Sequence, residues 1–353
     1  MKVMMASGGT GGHVFPALAV AAELRRRDAS CEVLFVGTES GVEARAVPAA
    51  GFPLRTVAAA GFKGVSGGAK LRSLALLPSS FLANQRWLRE FNPDVVFGTG
   101  AYVAGPTMLM AALSRRPTVL FEPNAEPGLA NRLVAPLVTR AAVTFEETMR
   151  CFGTRAVRTG SPVREEFLRV RPRRHQPPYT LLIFGGSRGA LALNRAVLDA
   201  LDALRAGRHE LRFVHQTGER DFDAVRTAYA RREIRAEVKP FFTDMAARFA
   251  EADLIVCRAG ASTVAELAAA GRAAILVPFP HATDQHQLRN AEVFARAGAA
   301  RLIEQQELGG LAAEIMALLD QPERLAEMEQ AARGLAVPDA AGRIADLLES
   351  VAR

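Results

Sequence analysis

Cysteine, lysine and the larger aromatic residues are all scarce in this chain of 353 residues, which has three Cys, four Lys, one Trp and three Tyr. The cysteines, Cys31, Cys151 and Cys257, are odd in number and far apart, and no CxxC or Cys/His cluster accompanies them. A disulfide scaffold and a structural zinc site are therefore disfavoured, and a reducing, cytoplasmic setting is expected. No run of about 18 apolar residues occurs, so no membrane-spanning helix is expected. The start, Met1-Lys2-Val3-Met4-Met5, leads straight into a glycine loop, without the cationic, apolar and cleavable order of a signal peptide. There is no GxxxxGK[ST], which argues against a P-loop NTPase. There is no GxGxxG either, and the second strand is followed by Gly37-Thr38-Glu39 rather than closed by an acid, which argues against a nicotinamide dehydrogenase.

What is present describes a globular chain with 49% hydrophobic and 23% charged residues, long enough for two domains at roughly 100–200 residues each. The net charge of +7 is unevenly spread. Residues 1–160 hold 18 basic and 11 acidic residues, and residues 161–353 hold 26 of each, so the amino-terminal half should meet the more anionic surface. Short apolar runs read as strands at Lys2–Ala6, Glu32–Val36, Val95–Phe97, Thr118–Phe121, Thr180–Phe184, Arg212–His215, Leu254–Cys257 and Ala274–Val277. Helical patterns such as Ala17–Arg27, Leu191–Arg205 and Thr263–Ala270 lie between them. This alternation predicts parallel sheets in α/β layers, with strands covered on both faces.

The chain also resembles itself. Gly8-Gly9-Thr10-Gly11-Gly12 and Gly185-Gly186-Ser187-Arg188-Gly189 each close a strand and open a helix. Two Rossmann-like domains are therefore expected, 1–160 and 161–338, with the hinge near Gly160-Ser161-Pro162. A terminal helix over 339–353, after Pro338, is placed to pack back on the first domain.

Glycine turns at helix N-termini bring backbone N–H groups close to phosphate oxygens. His13 follows the first turn, where an imidazole can act as a general base or merely as a hydrogen-bonding cap. A third turn, Cys257-Arg258-Ala259-Gly260-Ala261-Ser262-Thr263-Val264-Ala265-Glu266, could hold a diphosphate, with Glu266 accepting both hydroxyls of a ribose. The same Thr263 and Glu266 also fit a helix capping box. His281, Asp284, Gln285, His286, Gln287 and Asn290 cluster as amides and acids suited to sugar hydroxyls, and the set lacks the partners of a metal site. Asp221-Phe222-Asp223 reads as the opening of a surface helix rather than a metal–nucleotide motif. Gly98-Thr99-Gly100-Ala101-Tyr102, Glu122-Pro123-Asn124 and Asn131 follow two strands of the first half. Between Glu43 and Glu90 there is no acid, while Arg45, Arg55, Lys63, Lys70, Arg72, Arg86 and Arg89 alternate with leucines, Phe81 and Trp87. That mixture suits an anionic membrane surface, or a core face beside solvated cations. Within it, Gly61–Gly68 reads as a loop able to close over a substrate.

In combination, Gly8-Gly9-Thr10-Gly11-Gly12-His13, Gly100-Ala101-Tyr102-Val103-Ala104-Gly105-Pro106, Glu122-Pro123-Asn124, Thr159-Gly160-Ser161-Pro162-Val163-Arg164, Gly185–Ala190 and Cys257–Glu266 resemble the MurG family of glycosyltransferases. The resemblance runs almost end to end. It implies a GT-B fold, two doubly wound parallel-sheet domains facing across a cleft. It implies inverting transfer of N-acetylglucosamine from UDP-GlcNAc to the muramoyl 4-hydroxyl of lipid I, giving lipid II at the cytoplasmic face of the membrane. It implies no cofactor, no metal and no nucleic acid.

By the same resemblance the second domain binds the donor, through Arg164, Ser187, Phe242, Ala261, Ser262, Thr263, Glu266, Gln287 and Asn290. Thr10, Gly11, Gly12 and Asn124 of the first domain are also implied as donor contacts. Gly9, Tyr102 and Asn131 are implied for the acceptor, whose diphosphate would lie on Gly9–Gly12. His13 is implied as catalytic base, with Glu122 second. A diacylglycerol sugar transferase or a UDP-GlcNAc 2-epimerase would share the donor half, and a non-catalytic nucleotide-sugar or membrane-binding scaffold is the alternative outside enzymes.

Overall fold

The computed structural model describes residues 1–57 and 80–352, with only the backbone at 101–103. The expected loop Gly61–Gly68, together with Lys63, Lys70 and Arg72, lies outside the described residues. The chain forms two compact units, Met1–Val163 with Val337–Arg353, and Arg164–Ala336.

Unit 1 carries strands β1 (Lys2–Ala6), β2 (Glu32–Gly37), β3 (Leu54–Thr56), β4 (Val95–Gly98), β5 (Thr118–Glu122), β6 (Arg140–Val143) and β7 (Ala156–Arg158). They form one parallel sheet in the order β3-β2-β1-β4-β5-β6-β7. Side chains alternate across it: Val3 and Met5 join one apolar cluster, Met4 and Ala6 the other. Burial on both faces explains why β1 reads as a continuous apolar run rather than an alternating one. Helices α1 (Gly11–Arg27), α2 (Glu43–Ala49), α3 (80–91), α4 (Ala101–Leu113), α5 (Leu129–Val134) and α6 (Glu146–Phe152) connect the strands.

Helix α1 starts six residues before the expected Ala17. It contains Pro16, which leaves Gly12 without the i+4 amide donor but does not end the helix.

Unit 2 repeats the design with β8 (Tyr179–Phe184), β9 (Leu211–Gln216), β10 (Ala236–Lys239), β11 (Leu254–Cys257), β12 (Ala274–Leu276) and β13 (Ala300–Leu302), ordered β10-β9-β8-β11-β12-β13 and all parallel. Its helices are α7 (Glu165–Leu168), α8 (Leu191–Ala206), α9 (Phe222–Arg231), α10 (Met245–Glu251), α11 (Ala261–Ala270), α12 (His286–Arg296), α13 (Leu311–Leu319) and α14 (Pro322–Leu335). Asp221 is the N-cap of α9 and accepts from Asn194 Nδ2 at 2.8 Å, so the Asp-Phe-Asp sequence does open a helix.

The last helix, α15 (Ala340–Val351), belongs to unit 1. Ile344, Ala345, Leu347 and Leu348 complete the apolar cluster under β1, and Arg27 of α1 pairs with Asp346 and Glu349. Burying one such Leu or Ile stabilises by about 1.5–3 kcal/mol, so the apolar face rather than the ion pairs holds α15.

In each sheet the chain turns back at one place, between β1 and β4 in unit 1 and between β8 and β11 in unit 2. Ligands of doubly wound sheets bind outside the strand carboxyl ends at such a switch point. Both glycine turns emerge there.

Candidate active site

At the switch point of unit 1, β1 exits through Gly8–Gly12 and β4 through Thr99-Gly100. His13 Nδ1 meets the Thr99 carbonyl at 2.7 Å, so the two exits are joined by that ring. A carbonyl only accepts, so Nδ1 carries the hydrogen and the lone pair of the neutral ring sits on Nε2. Ser7 Oγ donates to the His13 carbonyl at 3.0 Å and accepts from Thr99 Oγ1 at 2.9 Å, which locks the same junction from below. Gly100 has φ +85°, and a Cβ there would stand 3.2 Å from Asn131 Nδ2 and 3.5 Å from His13 Cε1. Only glycine takes that backbone easily and lets both side chains approach.

Glu122, at the end of β5, is buried, and its two oxygens accept four hydrogen bonds. One takes the Asn124 backbone and side-chain N–H groups at 3.0 and 3.1 Å; the other takes Gly128 N at 3.1 Å and Asn131 Nδ2 at 2.8 Å. Burial raises its pKa and those bonds work against the rise. The carboxylate thus holds Asn124 and Asn131 in place. Tyr102 falls in the first turn of α4, and its side chain lies outside the described residues.

The first glycine turn has a buttress that nothing local in the sequence announces. Glu43, fully buried, accepts from Gly9 N at 2.9 Å, Thr38 N at 2.8 Å and Thr38 Oγ1 at 2.7 Å. The Gly9 amide therefore points at a carboxylate inside the unit. Gly11 and Gly12 begin α1, whose N-cap Thr10 makes no side-chain cap.

In unit 2, the turn after β8 uses positive φ at Gly186 and Gly189, and a Cβ on Gly189 would lie 2.0 Å from the Thr217 carbonyl oxygen. Ser187 and Arg188 at its tip are exposed. Beside it, across the switch point, α11 begins after Gly260 with no side-chain cap. The capping box that Thr263 and Glu266 could have made is not formed, because the helix starts two residues earlier. Val264 N to Gly260 O is its first helical bond, so the amides of Ala261, Ser262 and Thr263 have no partner within the helix. One turn on, Glu266 is largely buried and its pKa is pushed up to about 7, burial outweighing the attraction of Arg164, whose Nη2 stands 3.5 Å away.

Further along the edge, Arg258 is buried and donates to the carbonyls of Val277 and Pro278 and to Gln305 Oε1. It pins the turn whose next amide, Phe279 N, donates to Gln287 Oε1 at 3.0 Å. The carbonyl of Gln287 is thereby engaged, and its NH2 group is the part left to donate. Asn290 is fully buried and donates to the Ala259 carbonyl at 3.1 Å, tying α12 to the approach of α11. Asp284 and Gln285 both have φ +52°, a left-handed pair immediately before α12. Phe242 is only 2% exposed, its ring packed beside Lys239 and Arg248; the exposed ring of that segment is Phe241, at 54%. Of the two adjacent rings, the one expected at the base is thus turned inward and its neighbour outward.

Two doubly wound parallel units, each with a glycine turn at its switch point and one with an uncapped helix beside a largely buried acid, fit the GT-B class of glycosyltransferases. The family 28 N-terminal-domain model matches residues 3–143 and the family 28 C-terminal-domain model residues 180–344. The chain belongs to glycosyltransferase family 28, in its MurG branch. It is 48% identical over 351 residues to the UDP-N-acetylglucosamine–N-acetylmuramyl-(pentapeptide) pyrophosphoryl-undecaprenol N-acetylglucosamine transferase of Solibacter usitatus, covering 99% of this chain and 96% of that one. The enzyme of the same name from Anaeromyxobacter dehalogenans is 45% identical over 360 residues, covering 100% and 94%. The crystal structure of Acinetobacter baumannii MurG aligns with a TM-score of 0.82 at 34% identity over 99% of both chains.

Proposed function

We propose that this chain transfers N-acetylglucosamine from UDP-GlcNAc to the 4-hydroxyl of the muramoyl sugar of a pyrophosphoryl-undecaprenol acceptor, lipid I, releasing UDP and forming lipid II. The observation that carries the reading is the switch point of unit 2. There the uncapped start of α11 follows the strand next to β8, whose exit turn has Ser187 at its tip, and the largely buried Glu266 lies one turn into α11; these features support seating a diphosphate and a ribose. The diphosphate is assigned to Ser187 and Ala261–Thr263, the ribose diol to Glu266 with Arg164 beside it, and the base to the Phe241–Phe242 segment. Gln287 is assigned to the sugar through its NH2 group, and Asn290 acts by holding that region together.

Unit 1 is assigned the acceptor, with Tyr102 and Asn131 around it, and Thr10, Gly11, Gly12 and Asn124, expected from the resemblance as donor contacts, are reassigned to it. Nε2 of His13 takes the proton of the attacking hydroxyl, which then displaces UDP from the α-linked anomeric carbon in one step with inversion. Leaving-group charge falls on the α11 amides, preorganised donors that need no metal ion. Glu122 is reassigned from second base to holder of Asn124 and Asn131, since all four of its hydrogen bonds are already directed at that loop.

Peripheral binding to the inner face of the membrane goes with this acceptor. Among the described residues no helix is long and apolar enough to cross a membrane. On α3, Leu82 is 68% exposed beside exposed Arg86 and Arg89, whereas Leu88 is core and Trp87 packs against it. The test is a transfer assay with purified protein, UDP-GlcNAc and short-chain lipid I, with and without chelator. A β-linked disaccharide formed in both arms is expected. UDP-GlcNAc consumption without acceptor would point to epimerisation instead, and transfer to diacylglycerol in place of lipid I would reassign the acceptor.

A further inference from the structure

We propose that Gln216 is a positioning residue that sets the donor pocket from behind, aiming the phosphate-binding amide of Ser187 while fixing the base-binding segment. The assignment rests on the donor reading above.

Gln216 ends β9, the strand between β8 and β10, in register with Phe184 on one side and Lys239 on the other. The exits of both neighbours are donor segments, Gly185–Gly189 after β8 and Pro240–Phe242 after β10. The buried Gln216 side chain reaches both. Nε2 donates to the Gly186 carbonyl at 3.1 Å, and Oε1 accepts from Phe242 N at 2.9 Å. Those partners fix the amide orientation, because a carbonyl cannot donate and an N–H cannot accept.

The first bond has a directional consequence. The Gly186 carbonyl also accepts from Gly189 N at 3.1 Å, so the carbonyl is held from two sides. In a planar trans peptide the C=O and the next N–H point in opposite directions. Pinning the Gly186 oxygen toward Gln216 therefore turns the Ser187 amide away from the interior, to the exposed tip of the turn. Gly186 at φ +89° supplies the backbone that permits this. The neighbouring residue, His215, faces the other side of the sheet, where it meets Asn194 and Tyr229, so the two polar side chains ending β9 do separate work.

The two ends of the Gln216 amide can be separated by Gln216→Glu. A carboxylate keeps the acceptor for Phe242 N but has no hydrogen for the Gly186 carbonyl; once protonated, it has one again. The experiment titrates wild type and variant with uridine and with UDP at pH 8.5 and pH 5.5, reading each variant affinity as a ratio to wild type at the same pH. The expected result at pH 8.5 is a tenfold or greater loss for UDP with uridine within twofold, and recovery of UDP toward wild type at pH 5.5. An isosteric Gln216→Met variant, which lacks both bonds, should lose both ligands at both pH values. Circular dichroism accompanies each variant, and Gln216→Met serves if Gln216→Glu does not fold. Equal losses for uridine and UDP in Gln216→Glu, unchanged UDP affinity in either folded variant, or loss without recovery at pH 5.5 would overturn the proposal. A wild-type protein that binds no UDP would instead overturn the donor reading itself.

Discussion

The two glycine turns have the same sequence plan and are held in opposite ways. In unit 1 a buried carboxylate, Glu43, takes the turn's N–H at Gly9. In unit 2 a buried amide, Gln216, takes the turn's carbonyl at Gly186. The first arrangement spends a donor inward and sets a negative group behind the turn. The second spends an acceptor inward and leaves donors facing out. A turn of the second kind is the better seat for a leaving diphosphate, while a turn of the first kind is a rigid platform for the residue that follows it, His13. The difference teaches that a Gly-Gly-[Ser/Thr]-x-Gly turn is not by itself an anion site; what stands behind it decides which of its groups reach the ligand.

The largest expected effect tests that division of labour. His13→Ala should lower kcat for transfer by about 10²–10⁴, the usual contribution of a positioned general base, while UDP affinity stays at the wild-type value. Kinetics with saturating UDP-GlcNAc and calorimetry with UDP check the two halves. Near-full turnover would remove His13 from its role, and weakened UDP binding would mean that the turns do not divide base and leaving group between them.

The units also differ in how each fastens a connecting segment. Unit 1 holds α15 by an apolar face and exposed Arg27 pairs. Unit 2 holds the segment 171–178 by buried charge. His175, 2% exposed at its side chain, lies 3.0 Å from Asp253 and 3.6 Å from Glu329, with Arg173 on Asp253 and Arg272 on Glu329. Burial opposes charging the His175 ring, but the hydrogen bond to Asp253 and the charges of Asp253 and Glu329 prevail and lift its pKa to about 9. A raised histidine pKa contributes stability that is complete below the unfolded value near 6.5 and disappears as pH rises through 9. At 1.36 kcal/mol per pH unit, the contribution is about 3 kcal/mol. Urea denaturation followed from pH 6.5 to 9.5 should show that decline, and His175→Gln should flatten it. Arg27→Ala, by contrast, should change stability by about 1 kcal/mol or less. A histidine ring titrating near 6.5 by NMR would sink the first expectation.

Much of this was legible from residue order, for a physical reason. Central strands buried on both faces read as unbroken apolar runs, and glycine turns mark their exits, so β1, β8 and β11 and the residues after them stand out. The short outer strands β3, β7, β10 and β13 have three or four residues each and leave no such run. The buttresses were not legible because each joins residues far apart in the chain. Glu43 meets Gly9 across 34 positions and Gln216 meets Gly186 across 30. In sequence one is an acid in an ordinary helix and the other the polar end of a strand. Which ring of the Phe241–Phe242 pair turns inward was not legible either, because adjacent aromatic residues give no sign of it.

Glu43→Gln probes the buttress of unit 1 directly. Gly9 N approaches one carboxylate oxygen, and Thr38 N with Thr38 Oγ1 approaches the other. An amide must present its NH2 to one of them, setting donor against donor. A loss of about 1–3 kcal/mol is expected, with UDP affinity untouched. Unchanged thermal stability would show that the Gly9 turn stands without its acid, and the contrast with unit 2 would lose its basis.

The last expected effect concerns Glu266, proposed above for the ribose, whereas Glu43 is turned to the interior. With its pKa at about 7, only part of the population is ionised near neutrality, and the carboxylate is the form proposed to accept the ribose hydroxyls. Apparent affinity scales with the competent fraction, so uridine should bind about tenfold more weakly at pH 6 than at pH 8. Uridine is the informative probe because it has no phosphate to titrate in that range. Glu266→Gln should bind it weakly and with no pH dependence. A wild-type affinity flat from pH 6 to pH 8 would place the ribose elsewhere on the strand edge, and with it the order of phosphate, sugar and base along unit 2.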